Sequence, residues 1–431
     1  MNTNTNIKQG YKQTSLGILP QEWEVVRLGE VCEINPNSKK LPHEFYYIDL
    51  ESVKNGKLLY KNKICKDKAP SRAQRILAKQ DILFQLVRPY QRNNLFFDLD
   101  DICVASTGYA QIRTNENPFF IFQYLHTTNF VSRVLEHCTG SNYPAINSSD
   151  LSNLQIPLPP LAEQEKIAQI LGVWDKGISV LKSLIEAKTK RKKALMQRLL
   201  TPPCESLTPS LRASETSAAI YNKSADCHDL TASNLAMTEK NSKAKQSLRF
   251  AEFTDKWQEM RLGDICEITT GSLNANAMVE SGKFAFFTCA REVYAIDNYA
   301  FDTEALLVSG NGANVGYIHY YKGKFNAYQR TYVLDKFSCD ILFVKFFLDK
   351  YLKKRIAQEK NEGNTPYIVL STLQDMKIVL PNSLAEQKKI AQVLSVCDKE
   401  IELLKSKFQC LKTQKKGLMQ RLLNGEVRVK C

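Results

Sequence analysis

Arginine, asparagine and glutamine crowd two separate stretches of this chain, and their side chains can form paired hydrogen bonds to base edges. The first run holds Arg72, Arg75, Gln85, Arg88, Gln91, Arg92, Asn93 and Asn94, with Tyr90 among them. The second holds Arg291, Asn311, Asn314, Asn326, Gln329 and Arg330, beside Tyr328. An arginine fork matches two acceptors of guanine in the major groove, and the Asn or Gln amide matches adenine. Lys61, Lys63, Lys66, Lys322 and Lys324 nearby suit phosphate contacts, which position a protein without specifying sequence. Any one of these residues alone reads equally well as ordinary loop polarity. It is the crowding that points to nucleic acid.

Catalytic chemistry is not advertised. Asn117-Pro-Phe-Phe120 approaches the Asn-Pro-Pro-Phe signature of adenine methyltransferases, but the second proline is missing and no glycine-rich cofactor loop precedes it. It reads as a strand-to-helix turn. Gly310-Asn-Gly-Ala-Asn-Val-Gly316 lacks the Lys-Ser/Thr of a phosphate loop and reads as a hairpin between strands. The five histidines are dispersed, and no Cys/His cluster has zinc spacing. No metal ligands and no catalytic residues are therefore assigned.

The elements that must carry the two polar runs are written twice. Leu161 to Leu200 and Leu384 to Leu423 are identical at 24 of 40 aligned positions. Neither contains proline, and Ala, Leu, Gln, Glu and Lys dominate, so each is expected to be one long helix. The seam of the first runs Ile167, Leu171, Trp174, Ile178, Leu181, Ile185, Lys188, Lys192, Leu195, Leu199. That of the second runs Ile390, Leu394, Cys397, Ile401, Leu404, Phe408, Leu411, Lys415, Leu418, Leu422. Steps of four and three give the 3.5-residue period of a coiled coil. Two unrelated bundle helices would not share so much text, so the copies are expected to pair with each other.

The duplication reaches further. Trp23-Glu-Val-Val-Arg-Leu-Gly-Glu-Val-Cys-Glu-Ile34 returns as Trp257-Gln-Glu-Met-Arg-Leu-Gly-Asp-Ile-Cys-Glu-Ile268. Pro144, Ile146, Leu151, Ile156 and Leu158-Pro159 return as Pro366, Ile368, Leu373, Ile378 and Leu380-Pro381. Between these shared ends lie variable, strand-rich regions, with runs such as Phe45–Leu50, Asp81–Val87, Phe284–Thr288, Ala305–Val308 and Gly316–Tyr321. Phe119–His126 and Ile341–Ala357 read as helices. The pattern is a common frame carrying two different inserts.

The expected fold is therefore α+β, with two strand-rich recognition domains separated by two long helices that form an antiparallel coiled coil. An antiparallel pair provides the approximate two-fold axis that a duplicated chain calls for. The expected boundaries are 1–156 for the first domain, 157–200 for its helix, and 201–247 for a flexible linker rich in Ser, Thr, Ala, Asn and Lys. The second domain is expected at 248–380, and its helix and tail at 381–431. A formal charge of +14, from 59 Lys+Arg against 45 Asp+Glu, favours a polyanionic partner. The twelve scattered cysteines, polar amino terminus and lack of a membrane-length apolar run read as a reduced, cytoplasmic protein.

The order of motifs resembles the specificity subunit of type I restriction–modification systems. The carrying residues are Gly10-Tyr-Lys-Gln-Thr-Ser-Leu-Gly-Ile-Leu-Pro-Gln-Glu-Trp23, Arg27-Leu-Gly29, Pro157-Leu-Pro-Pro-Leu-Ala-Glu-Gln164, Leu248-Arg-Phe-Ala-Glu-Phe253, and Pro381 through Glu386-Gln387. The resemblance implies that each half reads one part of a bipartite site in double-stranded DNA, while the helices set the gap. It also implies two docked modification subunits, which carry S-adenosylmethionine and the adenine methylation, and restriction subunits, which use ATP and magnesium. No cofactor is expected on this chain. The alternative from the residues alone is a self-sufficient enzyme that modifies or cuts nucleic acid.

Overall fold

The computed structural model describes residues 7–37, 40–54, 56–203, 247–359 and 367–430. Nearly all of the linker expected at 201–247 lies outside the described residues. The chain divides into two compact units, Met1–Ser183 with Ser406–Cys431, and Leu184–Lys405. This division cuts both long helices, whereas the repeats in the sequence place the boundaries at their ends. The cause is packing, because each core takes in the head of one helix and the tail of the other.

In the first unit, the strand Glu24–Arg27 pairs antiparallel with Gln155–Leu158, so the two shared segments meet. Two four-stranded sheets follow. One orders Leu95–Phe96, Ile82–Gln85, Tyr109–Thr114 and Cys32–Ile34. The other orders Asn62–Cys65, Glu44–Ile48, Cys103–Ser106 and Ala73–Ile76. The helix Pro118–Tyr124 starts where expected, with the Asn117 side chain accepting the N–H of Phe120 as its cap. Trp23, Leu28, Ile112 and Phe120 share a core with Ile167 and Leu171 of the first long helix (Leu161–Leu199). Leu422 and Leu423, at the end of the second (Leu384–Leu423), complete it.

The second unit repeats this logic. Trp257–Arg261 pairs antiparallel with Lys377–Pro381. A six-stranded sheet orders Glu267–Thr270, Thr331–Asp335, Phe301–Ser309, Ile318–Ala327, Phe284–Phe287 and Tyr294–Ile296. The helix Ile341–Gln358 is capped by Asp340. Leu199 and Leu200 pack in one core with Ile390, Ala391 and Leu394. The inserts look unrelated in sequence, yet they share a strand plan. Ile48 lies beside Ala105 in a parallel pair, just as Phe287 lies beside Ala327.

Within each unit the long helices run antiparallel, and the lysines of their apolar seams explain themselves. In the first unit Lys415 reaches Asp175 at 2.6 Å. In the second, Lys188 reaches Glu400 at 2.5 Å and Lys192 reaches Asp398 at 2.5 Å. Each cation lies along the seam with its charged end met by a carboxylate of the opposite helix, which fixes register as well as contact.

The Lys415 junction also perturbs a histidine. His126 packs edge-on against Phe122, with ring centroids 4.5 Å apart, and its Nδ1 lies 2.8 Å from the Phe122 carbonyl oxygen. Burial, with the charges of Lys415 and Arg92, pushes its pKa down to about 4, against the opposing pull of that carbonyl and Asp175. An unfolded histidine titrates near ~6.5, so between the two values the unfolded chain takes up a proton that the folded one refuses. The stabilising contribution is full above about pH 6.5 and is lost as pH falls toward 4. His126→Gln should flatten the pH dependence of urea unfolding in that window by up to about 1.4 kcal/mol per pH unit. An equally steep dependence in the variant would contradict this.

Candidate nucleic-acid interface

The shared frame holds its inserts through the Leu-Ala-Glu-Gln that opens each long helix. Gln164 accepts the backbone N–H of Asn117 at 3.1 Å and donates to the Pro159 carbonyl at 2.9 Å. Gln387 accepts the backbone N–H of Asp340 at 2.8 Å and donates to the Pro381 carbonyl at 2.8 Å. Both glutamines therefore grip the N-cap residue of the helix that ends the insert's sheet. The glutamates are buried as well. Glu163 accepts from the Trp23 indole at 2.9 Å and from Arg428 at 2.7 Å, and Glu386 pairs with Arg249 at 2.8 Å.

On this frame the first polar run becomes a loop, residues 86–94, leaving the strand Ile82–Gln85. Arg88 and Arg92 both have left-handed backbone, with φ of 56° and 53°, and bracket the turn Pro89–Gln91. Arg92 donates to the His126 carbonyl at 3.1 Å and ties the loop to the helical layer. The Arg88 N–H donates to the Pro144 carbonyl at 2.7 Å, and its guanidinium lies 4.1 Å from the centre of the Tyr143 ring. Tyr90 and Tyr143 are exposed. The loop adjoins the turn at Thr107-Gly108, through Leu86 N–H to the Gly108 carbonyl, and that turn meets Arg72 through Thr107 N–H to the Arg72 carbonyl. Arg75, on the neighbouring edge strand, is half-buried, its Nε has no hydrogen-bond partner, and burial lowers its pKa.

Two residues expected to face DNA build the loop instead. Gln85 is buried, accepting the Asn93 N–H at 3.1 Å and donating to Gln91 at 3.1 Å. Asn94 is buried and accepts the Gln85 N–H at 2.9 Å. Asn93 lies on the same loop, half-buried. In the second unit Asn326 is likewise buried, bound to Asn298 and to the Ala327 N–H. These three are corrections, because an amide that satisfies a buried turn is not offered to solvent. Three of the lysines are also engaged, Lys61 with Asp101, Lys63 with Glu44 and Lys322 with Glu304.

The rest of the second set converges. The loop 310–317 joins Phe301–Ser309 to Ile318–Ala327. Gly310 N–H donates to the Arg330 carbonyl at 2.8 Å, and Asn311 bridges to Tyr367. Asn314 donates to the Cys289 carbonyl at 3.2 Å and accepts from Arg291 at 3.3 Å. Arg330 is exposed, and Gln329 reaches Asn274. Sequence reasoning passed over the exposed tyrosines Tyr143 and Tyr367, although each is next to or near a repeated proline, Pro144 and Pro366. Each unit thus presents guanidinium, amide and phenol groups from several loops on a rigid sheet, a surface suited to recognition. Among the described residues no cluster of three His, Cys, Asp or Glu could hold a metal ion, and no helix is long and apolar enough to cross a membrane.

Comparison with known proteins adds to this geometry. The family model described as the type I restriction modification DNA specificity domain matches residues 20–188 and 254–413. The EcoDI specificity subunit of Escherichia coli is 38% identical over 176 residues, covering 40% of this chain and 38% of that protein. The MjaVIII specificity subunit of Methanocaldococcus jannaschii is 23% identical over 96% of this chain and 94% of its own length. A crystal structure of a type I restriction–modification S subunit from M. genitalium matches with a TM-score of 0.58 at 17% identity, covering 98% of both chains. That likeness is one of fold.

Proposed function

Since the chain belongs to the type I restriction–modification DNA specificity family, we propose that it reads a bipartite DNA site, each unit taking one part. Its role is DNA sequence recognition within such a system. The observation that carries the finer reading is the repeated frame. Gln164 and Gln387 hold the same N-cap position in both units, while the loops on those frames differ in nearly every residue. Identical mounts with different loops suit two readers of different sequences. The paired helices set the gap between the two parts.

Chemistry belongs to partners in this reading. Two modification subunits bring S-adenosylmethionine and methylate adenine, restriction subunits bring ATP and magnesium, and all meet the DNA in the cytoplasm. Support for two dockings comes from exposed apolar residues at matching places on the helices. Val173 and Val180 are 72% and 61% exposed, and their counterparts Val396 and Leu403 are 59% and 71% exposed. Such side chains favour a covered surface. Supplied with S-adenosylmethionine, the purified chain should leave DNA unmethylated and uncut, and adding modification subunits should produce methylation at one discontinuous site. Methyl transfer by the rigorously purified chain alone would overturn this assignment and favour the self-sufficient enzyme.

A further inference from the structure

The loop 86–94 of the first unit and the loop 310–317 of the second share one backbone conformation but place different residues in it. Leu86 N–H meets the Gly108 carbonyl and Ile146 N–H meets the Leu86 carbonyl; Gly310 N–H meets the Arg330 carbonyl and Ile368 N–H meets the Gly310 carbonyl. Val87 bridges to Ala145, as Asn311 does to Tyr367. Leu86 therefore corresponds to Gly310, and Arg88 to Gly312. Both are left-handed, with φ of +56° and +78°. Glycine adopts that conformation freely, whereas a residue with a Cβ is strained there. The first unit keeps an arginine where its own duplicate uses glycine.

What the strained backbone provides is a guanidinium aimed and held. Pro89 follows it, the Pro144 carbonyl accepts its N–H, and its guanidinium carbon lies over the exposed Tyr143 ring, 4.1 Å from its centre. Its buried Nε has no partner, and no carboxylate pairs with Arg88 among the described residues. A phosphate contact needs none of this, because flexible lysines supply charge without fixed orientation. A fork fixed in plane and direction is what bidentate recognition of a base edge requires.

We propose that Arg88, held over the Tyr143 ring, is the specificity-determining residue by which the first unit recognises a guanine in its half of the site. This rests on the DNA-reading assignment above and names one reader and one base within it. Loops 86–94 and 140–144 then act as one device, the first carrying the fork and the second the ring that orients it.

The test uses the full chain assembled with modification subunits. Its site is first found by methylome sequencing, and duplexes with each half-site base pair substituted in turn then compete for binding. Arg88→Lys keeps the charge but not the fork. Arg88→Gly relieves the backbone strain, so it should melt no lower than the parent and separates recognition from folding. For both variants, preference for guanine at one position of one half-site should fall by roughly tenfold or more, with all other preferences kept. Tyr143→Leu should weaken the same preference in part. If binding to every duplex falls equally, with the slope of log K against log salt reduced by about 0.9, Arg88 is a phosphate contact and the proposal fails. Unchanged preferences also overturn it. Neither result touches the two-reader assignment, which exchanging the whole insert tests separately.

Discussion

Replacing residues 36–140 with the corresponding insert of another such subunit is expected to change one half of the recognised site completely and leave the other half intact. The first unit's hydrogen-bonding readers, Arg72 to Asn94, lie within that span, Tyr143 lies just beyond it, and the second unit's readers lie outside it. The frame should accept the exchange, because its grip on the insert is largely generic. Gln164 holds a backbone N–H at Asn117, just as Gln387 holds one at Asp340, so the same grip already serves two different cap residues. Several side-chain contacts are more particular, among them Gln164 donating to Glu116 at 2.8 Å and Thr114 donating to the Val31 carbonyl at 2.6 Å. Gln123 donates to Asp175 at 2.8 Å, and Arg133 donates to the Gln155 carbonyl at 2.7 Å. A donor insert lacking them should lose about 1 kcal/mol for each, which is tolerable for a domain of this size. Specific sites exceed non-specific binding by about 4–10 kcal/mol, so an altered half-site should appear in methylome sequencing as a new sequence rather than a blurred one. Change in both halves, or in neither, would end the two-reader account.

The second large effect concerns Glu163. This carboxylate is 2% exposed and accepts from the Trp23 indole at 2.9 Å and from Arg428 at 2.7 and 2.9 Å. Arg428 also reaches Glu22 at 2.6 Å. Truncating one partner of a buried pair leaves the other desolvated and unmatched, which costs more than the pair contributes. Arg428→Ala leaves the Glu163 carboxylate buried with only the Trp23 indole and should destabilise the first unit by about 3 kcal/mol. Glu163→Ala should cost less, because Arg428 is 35% exposed and keeps Glu22. Trp23→Phe removes only one hydrogen bond and should cost about 1 kcal/mol. Urea unfolding with hydrogen exchange resolved along the chain is the measurement. Loss of protection should centre on the first unit, and an unchanged midpoint for Arg428→Ala would show that the cluster does not hold it.

Repetition made the frame legible. Text that returns nearly unchanged, Trp23 as Trp257 and Leu161 as Leu384, revealed the long helices and marked the frame segments without any tertiary information, although not that those segments pair as strands. The helical seam was readable too, including its lysines, although their carboxylate partners on the opposite helix were not. The interface was harder. Asn and Gln satisfy tight turns as readily as they contact bases, so composition alone could not separate Gln85 and Asn94 from Arg88. Left-handed backbone at Arg88 leaves no mark in the sequence, and Tyr143 lies about fifty residues from the arginine it supports. Arg428 was missed for a similar reason, since no local spacing announces a partner in the first half of the chain. The strand plan common to both inserts was hidden because a sheet needs only alternating burial, which many unrelated sequences supply.

The closure of the first unit by Arg428 bears on how the protein is made. Synthesis runs from the amino terminus, yet the first unit needs Ser406–Cys431, which are made only after the whole of the second unit. The second unit is complete once Lys405 has emerged, and its own counterpart arginine, Arg249, precedes the carboxylate it meets. The domain begun first is thus the last to be finished. Until Ser406–Cys431 emerge it must wait with Glu163 uncompensated and the core around Trp23 open on the side where Leu422 and Leu423 belong. A chain ending at Lys405 would have its second reader whole and its first never closed.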